Sequence, residues 1–385
     1  MRFNENVLQI QSPPITEVKG WLAGRIFPAD KPLIDLCQAI PNYAPPAELT
    51  EHLQQSINNP QTYNYSPDEG LLEARTEVLD WYQRHYLADL STEQICLTVG
   101  ASQAFWLSIL CTCQAGDEVI VQLPAYFDHP MGLQALGIKP IFAPFDPANK
   151  GLPEVAQLER LITPRTRAIL LVTPSNPTGA VIPPEQIESL FLLAQQHQLT
   201  LILDETYNSF IDSVPHQLFN RSDWPDTFIH LASFGKTFAI TGLRCGALLG
   251  SETLISEALK IQDSMVVCQP RSTQVALTYG CRELDDWVAD NCAMMKQRHD
   301  RFVAEFAAAS LKFELAASGS FFAWIKHPWD DLTGRQAARR LADDANLICL
   351  PGEAFGPGLE SYLRLAFGNI DHQNIPAAVA RFSNI

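Results

Sequence analysis

Residues 168–203 read AILLVTPSNPTGAVIPPEQIESLFLLAQQHQLTLIL, and this stretch decides the fold class. Its two ends, residues 168–172 and 200–203, are short runs of aliphatic side chains, as expected for strands that are buried on both faces. Residues 184–196 repeat apolar side chains at helical spacing and start at a proline, which suits the first turn of a helix. The stretch therefore predicts a strand, a helix and a second strand.

The same alternation continues on both sides of this unit. Further elements are predicted as a helix at residues 102–110 and as strands at residues 94–99, 118–122, 139–143, 228–234 and 245–249. Alternating strands and helices favour a mostly parallel sheet with helices on both faces, so we predict an α/β fold. After about residue 251 the pattern becomes mainly helical and ends in two strand-like pieces, residues 320–325 and 362–367.

This change of pattern predicts two interwoven domains. Residues 46–265 are expected to form a large α/β domain, and residues 1–45 together with 266–385 a smaller α+β domain. In open α/β sheets, ligands bind beyond the carboxyl ends of the strands. The residues that follow the predicted strands are therefore the candidates for chemistry.

Composition restricts the function classes. The 385 residues carry 27 Lys and Arg against 43 Asp and Glu, and this net charge of −16 opposes binding to nucleic-acid phosphates or anionic lipid. No apolar run reaches the roughly 18 residues that cross a bilayer. The N-terminus lacks the parts of a secretory signal, and the nine cysteines show no metal or redox spacing. We expect a cytoplasmic protein that binds neither nucleic acid nor membrane.

Five motifs lie at or near the predicted strand ends. They are TVGASQ at 98–103, TPSNPTG at 173–179, DETY at 204–207, SFGKTFAITGLRCG at 233–246 and YLRLAFG at 362–368. Taken alone, each motif has an ordinary explanation. SNPTG is typical of a turn, Lys236 could be a solvated surface lysine, and Arg364 could belong to a structural ion pair. Asp204 and Glu205 suit a metal site, but no GxxxxGK phosphate loop precedes them. Only the joint occurrence in this order points to one function.

In that combination and order, the motifs resemble those of the class I/II aminotransferases, pyridoxal-phosphate (PLP) enzymes of the aspartate-aminotransferase fold, fold type I. The resemblance extends from about residue 34 to residue 367. It includes NYSPDEGLLEAR at 64–75, QAGDEVIVQLPAYFDHP at 114–130 and PGEAFGPG at 351–358. It implies a three-layer α/β/α large domain, PLP as cofactor, an amino acid and a 2-oxo acid as substrates, and a homodimer with shared active sites.

The resemblance assigns the catalytic groups. Lys236 matches the lysine that forms a Schiff base with the cofactor and then carries a proton from the substrate Cα. Asp204 matches the carboxylate that pairs with the pyridine nitrogen, and Asn176 and Tyr207 match the donors to the 3-oxygen. Because the family commonly has a cis peptide bond in this loop, we expect Asn176–Pro177 to be cis.

Cofactor and substrate contacts are assigned in the same way. A helix start offers free N–H groups to an anion, and a guanidinium fork suits phosphate or carboxylate. The phosphate is assigned to Gly100, Ala101, Ser102, Ser233, Arg244 and, from the neighbouring subunit, Tyr65. Tyr126 is assigned to stacking on the pyridine ring. Arg364 is assigned to the substrate carboxylate, with Asn176 and Ala39 beside the substrate, and no metal is expected.

Several positions depart from the family pattern or gain no assignment. Gly235 replaces the second serine of the usual Ser-x-Ser-Lys run, and Ala39 replaces a glycine near the substrate carboxylate. Arg271 is either a surface or interface ion pair or a carboxylate-binding group in the neighbour's site. Glu205, on the opposite side of its strand, is given no role. Residues that either pack in the core or line an apolar or aromatic pocket are Trp21, Phe127, His129 and Phe355.

We therefore predict an aminotransferase that moves an amino group from an L-amino acid to a 2-oxo acid by a ping-pong mechanism. The alternative within the same fold is a carbon–sulfur β-lyase or another eliminating enzyme, because elimination also begins with loss of the Cα proton. Related domains also occur in bacterial transcription regulators. Those carry an N-terminal helix-turn-helix, whereas this acidic chain starts directly at the small-domain segment.

Overall fold

Strands and α-helices alternate along the chain in the computed structural model, which describes residues 1–385 apart from the side chain of Asn384. The strands are β1 (Ile34–Asp35), β2 (Ile95–Val99), β3 (Glu118–Gln122), β4 (Lys139–Ala143), β5 (Thr166–Val172), β6 (Thr200–Asp204), β7 (Phe228–Ser233), β8 (Cys245–Leu249), β9 (Glu314–Gly319), β10 (Phe322–Lys326), β11 (Leu347–Ile348), β12 (Leu350–Pro351) and β13 (Tyr362–Leu365). The helices are α1 (Glu5–Gln9), α2 (Pro14–Gly20), α3 (Ala47–Ile57), α4 (Leu72–Tyr86), α5 (Gly100–Thr112), α6 (Asp128–Ala135), α7 (Val155–Glu159), α8 (Pro184–Gln196), α9 (Phe234–Thr237), α10 (Glu252–Val266), α11 (Arg271–Glu283), α12 (Asp285–Ala308), α13 (Gly334–Ala345) and α14 (Ile375–Ala380).

A seven-stranded sheet forms the centre of the fold, in the order β2-β8-β7-β6-β5-β3-β4. Strand β8 runs antiparallel to its neighbours, while β3 to β7 pair in parallel. The predicted strand–helix–strand unit is β5, α8 and β6, and α8 spans the predicted residues. The predicted mostly parallel sheet is therefore confirmed.

Successive side chains of the central strands point to two different apolar layers. In β5, Ile169 and Leu171 pack in the layer that contains α4, α8 and α11. Ala168 and Leu170 pack in the layer that contains α5 and α10. Because helices cover both faces of the sheet, the strand ends are the part of it left open to a ligand.

A separate antiparallel sheet, in the order β12-β13-β10-β9, comes from the C-terminal part of the chain. Near the N-terminus, β1 pairs in parallel with β11. Strand β10 begins two residues later than predicted, because Ser320 takes a left-handed turn with φ of 47° between β9 and β10. Strand β13 places Arg364 opposite Trp324 of β10. The domain boundaries at residues 45 and 265 stay a prediction.

The two sheets approach each other where two glycines meet. Gly179, in the loop after β5, has a φ of +73°, and a methyl group on it would overlap the carbonyl oxygen of Gly319 at the end of β9. A side chain on Gly319 would in turn overlap the backbone of Gly179. The loop that carries the TPSNPTG motif therefore lies directly against the second sheet.

Two further expectations concern the whole chain. None of the described helices is both long enough and apolar enough to cross a membrane. All nine cysteines are free thiols, as their spacing predicts.

Candidate active site

A cavity of about 470 Å³ opens at the carboxyl ends of β5, β6 and β7. The predicted residues that line this cavity are Ala39, Ala101, Ser102, Tyr126, Asn176, Asp204, Tyr207, Ser233, Lys236, Arg244 and Arg364. Gly100 begins α5 beside them, whereas Tyr65 is not among the lining residues. The fold thus brings nearly all of the predicted site residues to one cavity.

Asp204, the last residue of β6, is buried at the edge of this cavity. Its Oδ2 atom lies 3.2 Å from Nε2 of His129, and its Oδ1 atom accepts a hydrogen bond from the N–H of Thr206 at 3.0 Å. Burial alone would raise the pKa of this carboxyl group. The hydrogen bonds from His129 and Thr206 outweigh burial and hold the pKa below its ordinary value, so Asp204 is kept ionised.

The contact between His129 and Asp204 was missed by sequence analysis. The His129 ring is buried between Phe105 and Tyr126, with ring centres 4.7 and 5.2 Å away. Its Nδ1 atom has no hydrogen-bond partner among the described residues, so Nε2 makes the polar contact of this ring. The one trace in the sequence is the position of His129 three residues after Tyr126, in PAYFDHP.

Lys236 lies in α9, the short helix that directly follows β7. Its Nζ atom donates to the carbonyl oxygen of Ala39 at 2.5 Å and lies 5.7 Å from the ring centre of Tyr207. Burial, assisted by the nearby charges of Arg364 and Arg244, lowers the pKa of Lys236 from 10.5 to about 7. A large fraction of this amine is therefore uncharged near neutral pH and able to accept a proton.

Arg364 lies on β13, with only 1% of its surface exposed. Its guanidinium donates to Oδ1 of Asn176 at 3.1 Å and to the carbonyl oxygen of Cys37. Its Nε atom is buried without a partner, and no Asp or Glu of the described chain pairs with it. Burial lowers the pKa of Arg364. A buried cation without a carboxylate is costly, so this site favours a bound anion.

Asn176 and Tyr207 present donor groups to the same cavity. Because Oδ1 of Asn176 accepts from Arg364, the amide is oriented with its NH₂ group as the remaining polar group. The Tyr207 hydroxyl lies 3.3 Å from the carbonyl oxygen of Ala39, and burial raises the pKa of Tyr207. Both side chains are therefore hydrogen-bond donors, as an acceptor oxygen on a ligand requires.

The expected phosphate-binding region is formed where α5 begins. Gly100 has a φ of +77°, and a Cβ atom on it would lie 2.7 Å from Nη2 of Arg244. Glycine thus lets the guanidinium approach the free N–H groups of the helix start. Arg244 is exposed and Ser102 is exposed beside it, so both remain available to an anion. The donor set of backbone amides, a guanidinium and hydroxyls fits a phosphate.

Tyr126 lines the cavity, and its hydroxyl donates to Oδ2 of Asp128 at 2.5 Å. This bond fixes the plane of the ring. Tyr65 lies elsewhere, with 76% of its surface exposed, and its carbonyl oxygen accepts from Arg271 at 3.0 and 3.2 Å. Within one chain, Tyr65 and Arg271 therefore contact each other and not the cavity.

A sequence model of the class I and II aminotransferases matches residues 31–382. The chain belongs to this family. An aromatic aminotransferase of Arabidopsis thaliana is 26% identical over 387 residues, which cover 98% of this chain and 95% of that protein. An aspartate aminotransferase of Pyrococcus horikoshii is 26% identical over 344 residues, 88% of this chain and 86% of that protein. A mutant structure of Thermus thermophilus aspartate aminotransferase matches with a TM-score of 0.90 at 25% identity, with full coverage of both chains.

One prediction about this aminotransferase is wrong. Asn176–Pro177 is not cis; the cis X-Pro bonds are Leu123–Pro124 and Thr173–Pro174, directly after β3 and β5. The N–H of Thr173 still donates to the carbonyl oxygen of Asp204 at 2.9 Å, so the chain leaves the sheet at the very next residue. The change of direction therefore occurs at the first proline of the TPSNPTG motif and not at the second.

Glu205 of the aminotransferase faces away from the cavity, as expected, and makes polar contacts in the core on the other side of the sheet. Its Oε2 atom accepts from the hydroxyl of Tyr86 at 2.7 Å and lies 3.5 Å from Nε2 of His216 and 3.3 Å from Nδ1 of His230. Nδ1 of His216 accepts from the N–H of Leu218 at 3.2 Å, so the proton of this ring is on Nε2. A metal ligand needs a free electron pair there, and the hydrogen bonding thus favours a charged core cluster over a metal site.

Proposed function

We propose that this aminotransferase moves an amino group from an L-amino acid to a 2-oxo acid in a ping-pong scheme, with PLP held in the cavity of a homodimer. The observation that carries the proposal is Arg364, a buried guanidinium that lacks a carboxylate partner and shares the cavity with Lys236. A substrate α-carboxylate would supply the missing anion and would place the substrate beside the amine.

The residues around the cavity fit PLP as the cofactor. Asp204 would hold the pyridine nitrogen, because its carboxylate is kept ionised by His129. Asn176 and Tyr207 would donate to the ring oxygen, and the start of α5 with Arg244 would bind the phosphate. When bound, PLP supplies an electron sink for the pair of electrons left behind when the substrate Cα loses its proton.

The protein's own part is to move that proton and to orient the substrate. Lys236, with its pKa lowered to about 7, is the group that can take a proton from Cα at neutral pH. General base catalysis of this kind contributes about 10²–10⁴-fold to a rate. Arg364 would hold the substrate carboxylate through its guanidinium, and this would orient the substrate Cα beside Lys236.

The comparisons leave the substrate open, because the related proteins are named both for aromatic amino acids and for aspartate. Elimination of a leaving group from Cβ would use the same residues up to the loss of the Cα proton. Because transamination and elimination share these residues, an experiment is needed to distinguish the two reactions.

The test is a spectroscopic half-reaction. Purified protein loaded with PLP is mixed with single L-amino acids, and conversion of the cofactor to its amino form is followed by absorbance. We expect conversion by at least one amino acid and its reversal by a 2-oxo acid. Release of pyruvate and ammonia from a cysteine conjugate without a 2-oxo acid would instead identify a β-lyase. Failure of every amino acid would refute transamination, and Lys236→Ala provides the inactive control.

A further inference from the structure

We infer that the substrate side chain is large and apolar, aromatic or branched aliphatic, and that it lies against an outer apolar wall of the cavity. This wall is defined by Ile10, Ile15, Ile40, Trp106, Phe127 and Met131. The inference rests on the proposed function, because it assumes that Arg364 binds the α-carboxylate.

The apolar wall begins next to the carboxylate anchor. The guanidinium carbon of Arg364 lies 5.5 Å from the ring centre of Phe355, and the ring of Phe355 packs edge-on against Phe127 with centres 5.7 Å apart. Phe127 in turn lines the cavity. The buried ring of Phe355 therefore connects the carboxylate anchor Arg364 to Phe127, which is part of the cavity lining.

The N-terminal segment supplies the opposite part of this wall. Gln11 donates to the carbonyl oxygen of Ala354 at 3.1 Å, and Pro14 and Val18 are buried. These contacts hold the segment between Ile10 and Ile15 and again just after Ile15, and both isoleucines line the cavity. Burying a side chain of leucine or phenylalanine size against such an apolar surface favours binding, because apolar area is removed from water.

Charge argues against a second carboxylate on the substrate. The cations among the described residues that line the cavity are Lys236, Arg244 and Arg364, and each already has a role in the chemistry, the phosphate or the α-carboxylate. His129 is engaged by Asp204. Asp128 adds a negative group to the lining. Within one chain, a side-chain carboxylate would therefore find no free cation in the cavity, which is strongly unfavourable for a buried charge.

The first experiment is a panel of half-reactions with the PLP-loaded wild-type protein. The donors are L-phenylalanine, L-leucine, L-methionine, L-aspartate, L-glutamate and L-lysine. We expect the best apolar donor to exceed aspartate and glutamate in kcat/KM by about 100-fold or more, as expected for an unpaired charge in a desolvated site. A preference for aspartate, glutamate or lysine would overturn this inference and leave transamination intact. No reaction with any donor would overturn the proposed function as well.

The second experiment places a cation in the wall. Ile15→Arg should raise the kcat/KM ratio of aspartate to phenylalanine by about 10-fold or more, because the new guanidinium can pair with the second carboxylate. Ile26→Arg is the matched control, because Ile26 is 95% exposed and does not line the cavity. An unchanged ratio in folded Ile15→Arg protein would contradict the placement of the side chain. If wild type prefers aspartate and Arg271→Gln abolishes that preference, the second carboxylate is bound by Arg271 and the inference is wrong.

Discussion

One backbone carbonyl, that of Ala39, accepts hydrogen bonds from both Lys236 and Tyr207. A neutral carbonyl compensates a buried ammonium less than a carboxylate does, and the charged neighbours of this amine are arginines. The amine is therefore held in a setting that favours its neutral form. This local arrangement, and not the presence of a lysine alone, prepares Lys236 for proton transfer.

Replacing Lys236 by methionine should change how the stability of the cofactor-free protein depends on pH. The pKa of Lys236 is about 7 in the folded protein, compared with 10.5 for an ordinary lysine such as that of the unfolded chain. Between pH 7 and pH 10.5 the unfolded chain therefore binds more protons than the folded protein. The stability of wild type relative to Lys236→Met should thus be lowest below about pH 7 and rise toward pH 10.5. Denaturant unfolding across this range measures it. Lys326→Met, which removes an exposed lysine, is the matched control for the loss of one lysine side chain.

Replacing Arg364 by lysine should weaken substrate binding. A lysine keeps the charge but loses the paired donors, which costs about 1.5–3 kcal/mol, or roughly 10–100-fold in kcat/KM for the amino donor. Half-reaction kinetics measure the loss. Arg282→Lys, at an arginine that pairs with Glu73 and Glu77 on the surface, should leave the kinetics unchanged. Equal kinetics in Arg364→Lys and wild type would show that the carboxylate binds elsewhere.

At the residue scale, the sequence predicted which side chains line the cavity but not all of their contacts. Asp204, Lys236 and Arg364 follow recognisable motifs. His129 does not, because its function depends on a carboxylate 75 positions away that only the folded chain brings near. Tyr65 is assigned to the site of a neighbouring chain, and in its own chain it is exposed and lies outside the cavity.

The turn from β7 into α9 offers a test at the scale of one element. Gly235 lacks a left-handed φ, and the nearest atom to an added Cβ would be 3.4 Å away, so a Cβ atom is accommodated at this position. Gly235→Ser should tighten PLP binding by about 10-fold or more through a new hydrogen bond to the phosphate. Titration of the cofactor-free protein measures this affinity. Gly235→Ala adds the same Cβ without the hydroxyl, and an equal gain in both variants would exclude the hydrogen bond.

The contact between the loop after β5 and the end of β9 predicts a stability effect. Gly179→Ala should lower the free energy of unfolding by about 2 kcal/mol or more, because it combines a left-handed φ with overlap of two backbones. Thermal or denaturant unfolding measures the change. Gly20→Ala is the control, because nothing lies within 4 Å of its Cβ position, and its effect should stay below about 1 kcal/mol.

The bounds of the central elements could be predicted because short aliphatic runs and one helical period are local properties. Strands β3, β4 and β8 have the predicted bounds. The order β12-β13-β10-β9 could not be derived, because β12 has only two residues and β13 pairs with β10 across more than 30 residues of sequence. The cis bond was predicted at the wrong proline, because the loop contains two X-Pro bonds, Thr173–Pro174 and Asn176–Pro177, and the local sequence does not distinguish between them.

At the scale of the whole molecule, a pair of chains is expected in solution. Tyr63, Tyr65 and Leu72 expose 60–76% of their surfaces, and such exposed apolar groups favour association. Light scattering should give twice the chain mass of 42.8 kDa. Tyr65→Phe should weaken PLP binding if its hydroxyl reaches the neighbouring site. Tyr63→Phe is the matched control, because the Tyr63 hydroxyl donates to Ile57 of its own chain. A monomer with full activity would refute shared sites.

The origin of the outer wall has an evolutionary consequence. Asp204 and Lys236 lie at or just after strand ends of the central sheet, whereas half of the outer wall, Ile10, Ile15 and Ile40, comes from the chain before β2. Substitutions in that peripheral stretch can alter selectivity while the strand ends stay untouched. Such an arrangement lets a duplicated gene acquire a new substrate by drift in one segment, and it makes that segment the natural target for exchange between relatives.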